Sequence, residues 1–171
     1  MDRPEIDEYH ANYQKYFDSV PAGDYLELLR QNLTDTVNFF ARLPPEKHDY
    51  KYSEGKWTVK EVLLHIIDTE RVFSCRALAA ARGDSETPIY RMDEELYASN
   101  ADVSKRTLPN LLSEFRAVRA ATEHLFENMT DTQSRRSCNI VTHPMTARAI
   151  GYFLLGHIRH HIEIVQQRYL S

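Results

Sequence analysis

Apolar residues along this chain recur mostly three and four positions apart, and few stretches alternate in the period-two manner of strands, which predicts a mostly helical protein. A first long helix is expected over about 23–42. Leu26, Leu29, Leu33, Val37 and Phe40 share one face, Asp24 stands where a carboxylate can cap free N–H groups, and Leu43-Pro-Pro-Glu46 stops the helix. Thr58-Val-Lys-Glu61 is a capping box, and it opens a second helix to about Arg82, where Gly83 can take the left-handed terminal conformation. Thr107 opens a third helix with Leu111, Leu112, Phe115, Val118 and Leu125 inward, and Thr146 opens a fourth that runs to about Tyr169. Four long amphipathic helices predict an all-α four-helix bundle.

The connection between the second and third helices, about 83–106, is far longer than the links of a simple up-and-down bundle, so a crossover topology is open to the chain. It reads as a polar loop with enough tyrosine and methionine to pack over something. Residues 1–20 form an N-terminal extension whose weak pattern allows a short extra helix, and 21–171 form the bundle domain. No internal repeat and no low-complexity tract interrupts it.

Composition narrows the function classes. At 171 residues, folding buries roughly 70% of the unfolded surface, so neither a disulfide nor a structural metal is needed for stability. The net charge of −4 and the scattered Lys and Arg argue against a nucleic-acid partner. Two cysteines without paired spacing, Cys75 and Cys138, suit a reducing compartment. The polar, acidic N-terminus is unlike a signal peptide, and no apolar run approaches a membrane span, so the expected location is the cytoplasm, away from the membrane.

The chemistry concentrates on histidine. Taking His157 as zero on a helical wheel, His161 falls at about +40°, Ile150 at about +20° and Leu154 at about +60°, so both imidazoles face the core. His160 lies near −60° on the flank, and Arg159 points away. Imidazoles at i and i+4 can aim their nitrogens at one point, the spacing used in zinc sites. They can equally be core histidines bonded to a carbonyl or carboxylate. His65, inside the second helix between Leu64 and Ile66, shares a face with Val62, Thr69 and Val72 and looks inward as well. Leu63 and Ile67 make the reverse face of that helix apolar, which motivates a homodimer. No glutamate is followed three positions later by histidine, and His157-Ile-Arg-His-His161 lacks the glutamate of the HExxH peptidases, so neither di-iron carboxylate nor that peptidase chemistry is indicated.

The stretch from Trp57 to Glu70, the loop MDEELYASN at 92–100, and MTARAIGYFLLGHIRHHIEIVQQRYL at 145–170 together resemble the DinB-like superfamily, which includes YfiT-like metal-dependent hydrolases. The similarity spans about 20–170. It implies an up-down-down-up bundle, a homodimer, and a divalent metal held by one histidine of helix two and two of helix four, which map onto His65, His157 and His161. It also implies enzymes such as thiol-dependent S-transferases and isomerases that use low-molecular-weight thiols.

Three neutral imidazoles would leave an ion its full charge and at least one open position, the arrangement of a catalytic zinc site. Nickel, iron or manganese would also suit them. Such a centre can activate water for hydrolysis or hold a thiol as thiolate for transfer to a small-molecule electrophile. The preferred expectation is a thiol S-transferase; a YfiT-type hydrolase and a non-catalytic dimeric bundle are the alternatives. Supporting candidates are Asp68 or Glu61 as acceptors for the His65 ring, with capping favoured for Glu61, and Arg76 for a substrate carboxylate or a structural ion pair. Trp57 is a candidate for stapling the start of the helix or lining the pocket, and Tyr97 for a pocket wall or simple packing. Neither cysteine is assigned a catalytic role, and His10, His48, His124 and His143 are expected to be solvent or packing residues.

Overall fold

The computed structural model describes residues 1–89, 91–140 and 143–170. Its long helices are α2 (Tyr25–Ala41), α3 (Val59–Arg82), α5 (Leu108–Glu127) and α7 (Ala147–Tyr169), close to the ranges expected from periodicity. The start signals act as read. Asp24 accepts from the N–H groups of Leu26 and Glu27, the Thr58–Glu61 capping box is closed in both directions, and Thr107 and Thr146 each cap their helix. Gly83 ends α3 at φ 78°, a left-handed value that a side chain would disfavour.

Helix α3 packs on α5 and α7, and α2 packs on the same two, so the consecutive helices α2 and α3 stand diagonally across the bundle. Directions follow from paired contacts. Lys60 Nζ donates to the Arg106 carbonyl at the starts of α3 and α5, and Ser74 meets Thr122 further along, so these two helices run parallel. Tyr169 Oη donates to the Trp57 carbonyl while Phe73 stacks on Phe153, so α3 and α7 are antiparallel. The result is an up-down-down-up bundle with a crossover between α3 and α5.

Two short elements depart from the sequence expectation. The connection after α3 is not loop throughout: α4 (Glu94–Asn100) forms there, capped by Asp93, while Tyr90 lies outside the described residues. Between α6 (Asp131–Ser134) and α7, strands β1 (Ser137–Ile140) and β2 (His143–Thr146) pair antiparallel with Cys138 opposite Met145. Cys138 sits in the first of these strands, buried with its Sγ 3.5 Å from the Arg76 carbonyl. Strands this short carry too few alternating positions to register as a period.

The N-terminal extension lies against α7. Its helix α1 (Gln14–Asp18) buries Phe17, and Arg3 closes the segment by donating to the carbonyls of Val20 and Phe17. Glu8 accepts from Thr146 Oγ1 at 2.6 Å and from Arg148 Nε at 2.7 Å, which ties the extension to the start of α7. The reverse face of α3, including Leu63 and Ile67, is fully buried with Leu111 and Phe115 of α5, so its apolar character is accounted for within one chain. Among the described residues, no helix is long and apolar enough to cross a membrane.

Candidate metal centre

On α7 the apolar run divides between two core clusters, with Leu155 in the first and Ile158 in the second, and His157 falls between them. From α3, antiparallel and adjacent, His65 arrives at the same level. The Nε2 atoms of His65 and His157 lie 3.1 Å apart, and those of His161 and His157 lie 3.0 Å apart. Among the described residues this is the one group of three His, Cys, Asp or Glu side chains placed to hold an ion, with its donor atoms all within 4.8 Å of one another. His160 is not part of it; its ring meets Tyr16 edge-on at 5.4 Å, on the flank of α7.

The surroundings keep these imidazoles neutral. Burial holds His65 down at about 4, and burial followed by repulsion from His65 holds His161 at about 3. His157 is lowered well below the ordinary range by burial first and by His161 and His65 second. Lone pairs are thus available at neutral pH, as metal ligation requires. A single Nε2 carries either one hydrogen or one lone pair, so His157 cannot make two well-formed hydrogen bonds to its two neighbours. One cation among the three nitrogens removes that conflict, and the observed spacings approach the roughly 3.3 Å between donors of a tetrahedral zinc. The donor set fits a divalent ion.

Ring packing fixes the ligand orientations. Trp57 lies against His65 with centroids 4.8 Å apart, and Phe153 lies against His157 at 5.4 Å. Trp57 thus acts on the ring of His65. The expected carboxylate acceptors are elsewhere. Glu61 closes the capping box, and Asp68 is hydrogen-bonded to Arg71. His65 Nδ1 is buried without a hydrogen-bond partner among the described residues. Beyond the neighbouring imidazole, its other nitrogen faces Thr69, whose hydroxyl is 3.5 Å from His65 Nε2.

A cavity of about 470 Å³ opens beside His65 and His157. Helix α3 contributes Thr69, Phe73 and Arg76 to its wall, and α7 contributes Phe153. Arg76 is 4% exposed, with its guanidinium 4.4 Å from the Phe73 ring centre, and it lines the same cavity as His65 and His157. Tyr97 is not in the wall; it is 45% exposed on α4, and the residues before it, Arg91, Met92 and Glu94, line the cavity instead.

Sequence reasoning missed the rest of the wall. The extension supplies His10, Asn12, Tyr13 and Tyr16, and the hairpin supplies His143, Pro144 and Met145. His10 and His143 stack with centroids 3.9 Å apart, packing residues as expected, but they pack in the wall of the cavity that reaches the trio. Nothing in helical periodicity could have joined them, because neither lies on a long helix. A weak signal existed in the tyrosines at 9, 13 and 16, spaced as one helical face would space them.

Comparison with known proteins agrees with the fold. The sequence profile of the DinB superfamily matches residues 28–165. No curated protein gives a significant sequence match. Among solved structures, the fold is similar to that of YfiT from Bacillus subtilis, described as a probable metal-dependent hydrolase with an unusual four-helix bundle topology. The TM-score is 0.67 at 21% identity, over 97% of this chain and 93% of that one. It is also similar to a mycothiol-dependent maleylpyruvate isomerase, with TM-score 0.65 and 14% identity over 86% of this chain, which spans 61% of the isomerase. A DinB-like protein of Bacillus subtilis, YjoA, gives TM-score 0.60 and 16% identity over 85% of this chain and 88% of that one.

Proposed function

This chain belongs to the DinB superfamily, and from that membership we propose that it is a divalent-metal-dependent enzyme whose ion is held by His65, His157 and His161. The observation that carries the proposal is the convergence of three neutral imidazoles beside a cavity of ligand size. Zinc suits the donors best, being tolerant of an all-imidazole set in tetrahedral geometry, and nickel, iron or manganese are the other candidates. When bound, the ion supplies Lewis acidity that lowers the pKa of a ligand thiol or water toward neutrality.

The residues of the chain do the remainder. The three imidazoles, carrying no charge of their own, leave the ion's charge uncancelled. Phe73, Phe153 and Tyr16 shield the site from bulk water, and Thr69 presents a hydroxyl at the ligand edge. The reaction we favour is transfer of a low-molecular-weight thiol to a carbon electrophile, with Arg76 in the cavity wall as the contact for a carboxylate of the thiol. Hydrolysis by the same centre is the second reading, supported by the similarity to YfiT over nearly all of both chains. A homodimer belongs to the proposal through the family resemblance, not through the reverse face of α3, which α5 covers, and sedimentation velocity at micromolar concentration reads it directly.

The test is elemental analysis of untagged protein beside the His65→Ala, His157→Ala double variant. Near-stoichiometric metal in the native chain, absent from the variant, is the expected result. Native protein that stays metal-free after incubation with zinc, nickel or manganese would sink the metalloenzyme reading and leave a non-catalytic bundle. Thiol consumption against acid release, measured on loaded protein, then separates transfer from hydrolysis.

A further inference from the structure

The cavity wall has a charge pattern that the metal site does not explain. Its formally charged residues are two guanidinium groups, Arg76 and Arg91, and one carboxylate, Glu94. Arg76 is buried in the wall, whereas Arg91 is at the exposed edge. A bound divalent ion would add to this positive excess. Arg76 also lies about 16 Å of helix rise beyond His65 on the same helix, with Thr69 and Phe73 between them, so the wall runs from the histidines to a guanidinium along one face of α3.

The intervening surface is aromatic, from Phe73 and Phe153 on the bundle side to Tyr13 and Tyr16 on the extension. The extension adds neutral donors. His10 Nδ1 accepts the Asn12 backbone N–H at 3.3 Å, which places the proton of a neutral His10 on Nε2.

We propose that this cavity is an organic-acid site: it takes a small molecule whose carboxylate is held by Arg76 and Arg91 and whose apolar body lies along the aromatic wall toward the histidines. The guanidinium fork matches a planar carboxylate, and burial strengthens that interaction relative to water. The volume of about 470 Å³ fits such a molecule. The orientation of the ligand rests on the metal-dependent reading above; retention of the carboxylate does not.

The test is NMR titration of chelator-treated, metal-free protein with 3-phenylpropionate and with its neutral analogue 3-phenylpropionamide. The acid should bind at least about tenfold more tightly than the amide, the ratio expected for one charge-assisted hydrogen-bonded contact. Arg76→Gln and Arg91→Gln should each lower that preference by about threefold or more while changing amide binding little. Because Arg76 is buried and its replacement can disturb folding, Arg91→Gln, at the exposed edge, carries the test by itself. Equal binding of acid and amide, or an acid preference undiminished in Arg91→Gln, overturns the proposal. Acid binding seen only in zinc-loaded protein also overturns it, since the carboxylate would then sit on the ion. Failure of the metal reading shows differently: the acid preference persists and depends on arginine in a protein that never takes up metal.

Discussion

The Nε2 atoms of His65 and His157 stand 3.1 Å apart although 92 positions separate the residues in sequence. Antiparallel packing of α3 on α7 brings them together, and the i, i+4 spacing adds His161 at 3.0 Å from His157. His160, adjacent in sequence, is turned to Tyr16. Replacing His161 by alanine should therefore weaken zinc binding by more than the roughly 10–100-fold that follows loss of a hydrogen-bonding partner to a ligand. His160→Ala should leave it unchanged. Chelator competition measures both, and equal losses would contradict the face assignment.

The same burial predicts a pH dependence in metal-free protein. His65 titrates at about 4 in the fold, below the ordinary 6.5, because burial disfavours its charged form. The unfolded chain then binds more protons, so the stability from this group is complete above about pH 6.5 and is lost as pH falls toward 4. For His65 alone the linkage is on the order of 3 kcal/mol. Glu8 acts lower. Burial raises its pKa, but hydrogen bonds from Arg148 and Thr146 prevail and leave it at about 2, so its contribution is lost only below pH 4.5. Melting temperature between pH 7.5 and 4.5 should fall steeply for chelated native protein and less steeply for His65→Phe. Equal slopes would refute the assignment.

What the sequence disclosed divides along physical lines. Asp24, Thr58, Thr107 and Thr146 are local capping signals followed by long periodic faces, and a long face averages over enough residues to be read. The histidine trio was legible for the same reason, since all three ride on long helices. The cavity was not. Its outer wall comes from His10 to Tyr16, from Arg91 to Glu94 and from His143 to Met145, short segments whose meeting is decided by tertiary packing. Asp68 was open in the sequence between a ring acceptor and a surface carboxylate, and Arg71 on its own helix engages it.

A second buried polar assembly makes a stability prediction. Arg119 and Glu70 are essentially inaccessible and meet in a two-bonded fork at 2.6 and 2.9 Å, with Arg119 also donating to the Leu29 carbonyl and to Asn32. This links α5, α3 and α2. Arg119→Met strands the Glu70 carboxylate in the core and should destabilise the protein by about 3–5 kcal/mol in denaturant unfolding. Adding Glu70→Leu removes the stranded charge and should recover much of that loss. A double variant no more stable than the single one would show that packing, not the unpaired charge, sets the penalty.

Gly156 governs how closely the extension sits on the histidine trio. A Cβ at this position would stand 2.1 Å from the Tyr16 carbonyl oxygen and 2.5 Å from its carbon, so the obstacle is the backbone of α1 and not a side chain that can swing away. Alanine favours the interior of α7 by about 1 kcal/mol over glycine, while forcing α1 outward costs about 1–3 kcal/mol, so the steric effect prevails. In Gly156→Ala the extension should therefore be displaced, withdrawing Tyr16 from His157. The three proposed ligands are carried by α3 and α7, so metal stoichiometry should persist. Trypsin should cut at the exposed Lys15 faster than in native protein, while zinc per chain is unchanged. Unaltered cleavage with loss of zinc would mean the extra methyl group is accommodated by moving α7 instead, placing the softer side of this contact in the bundle.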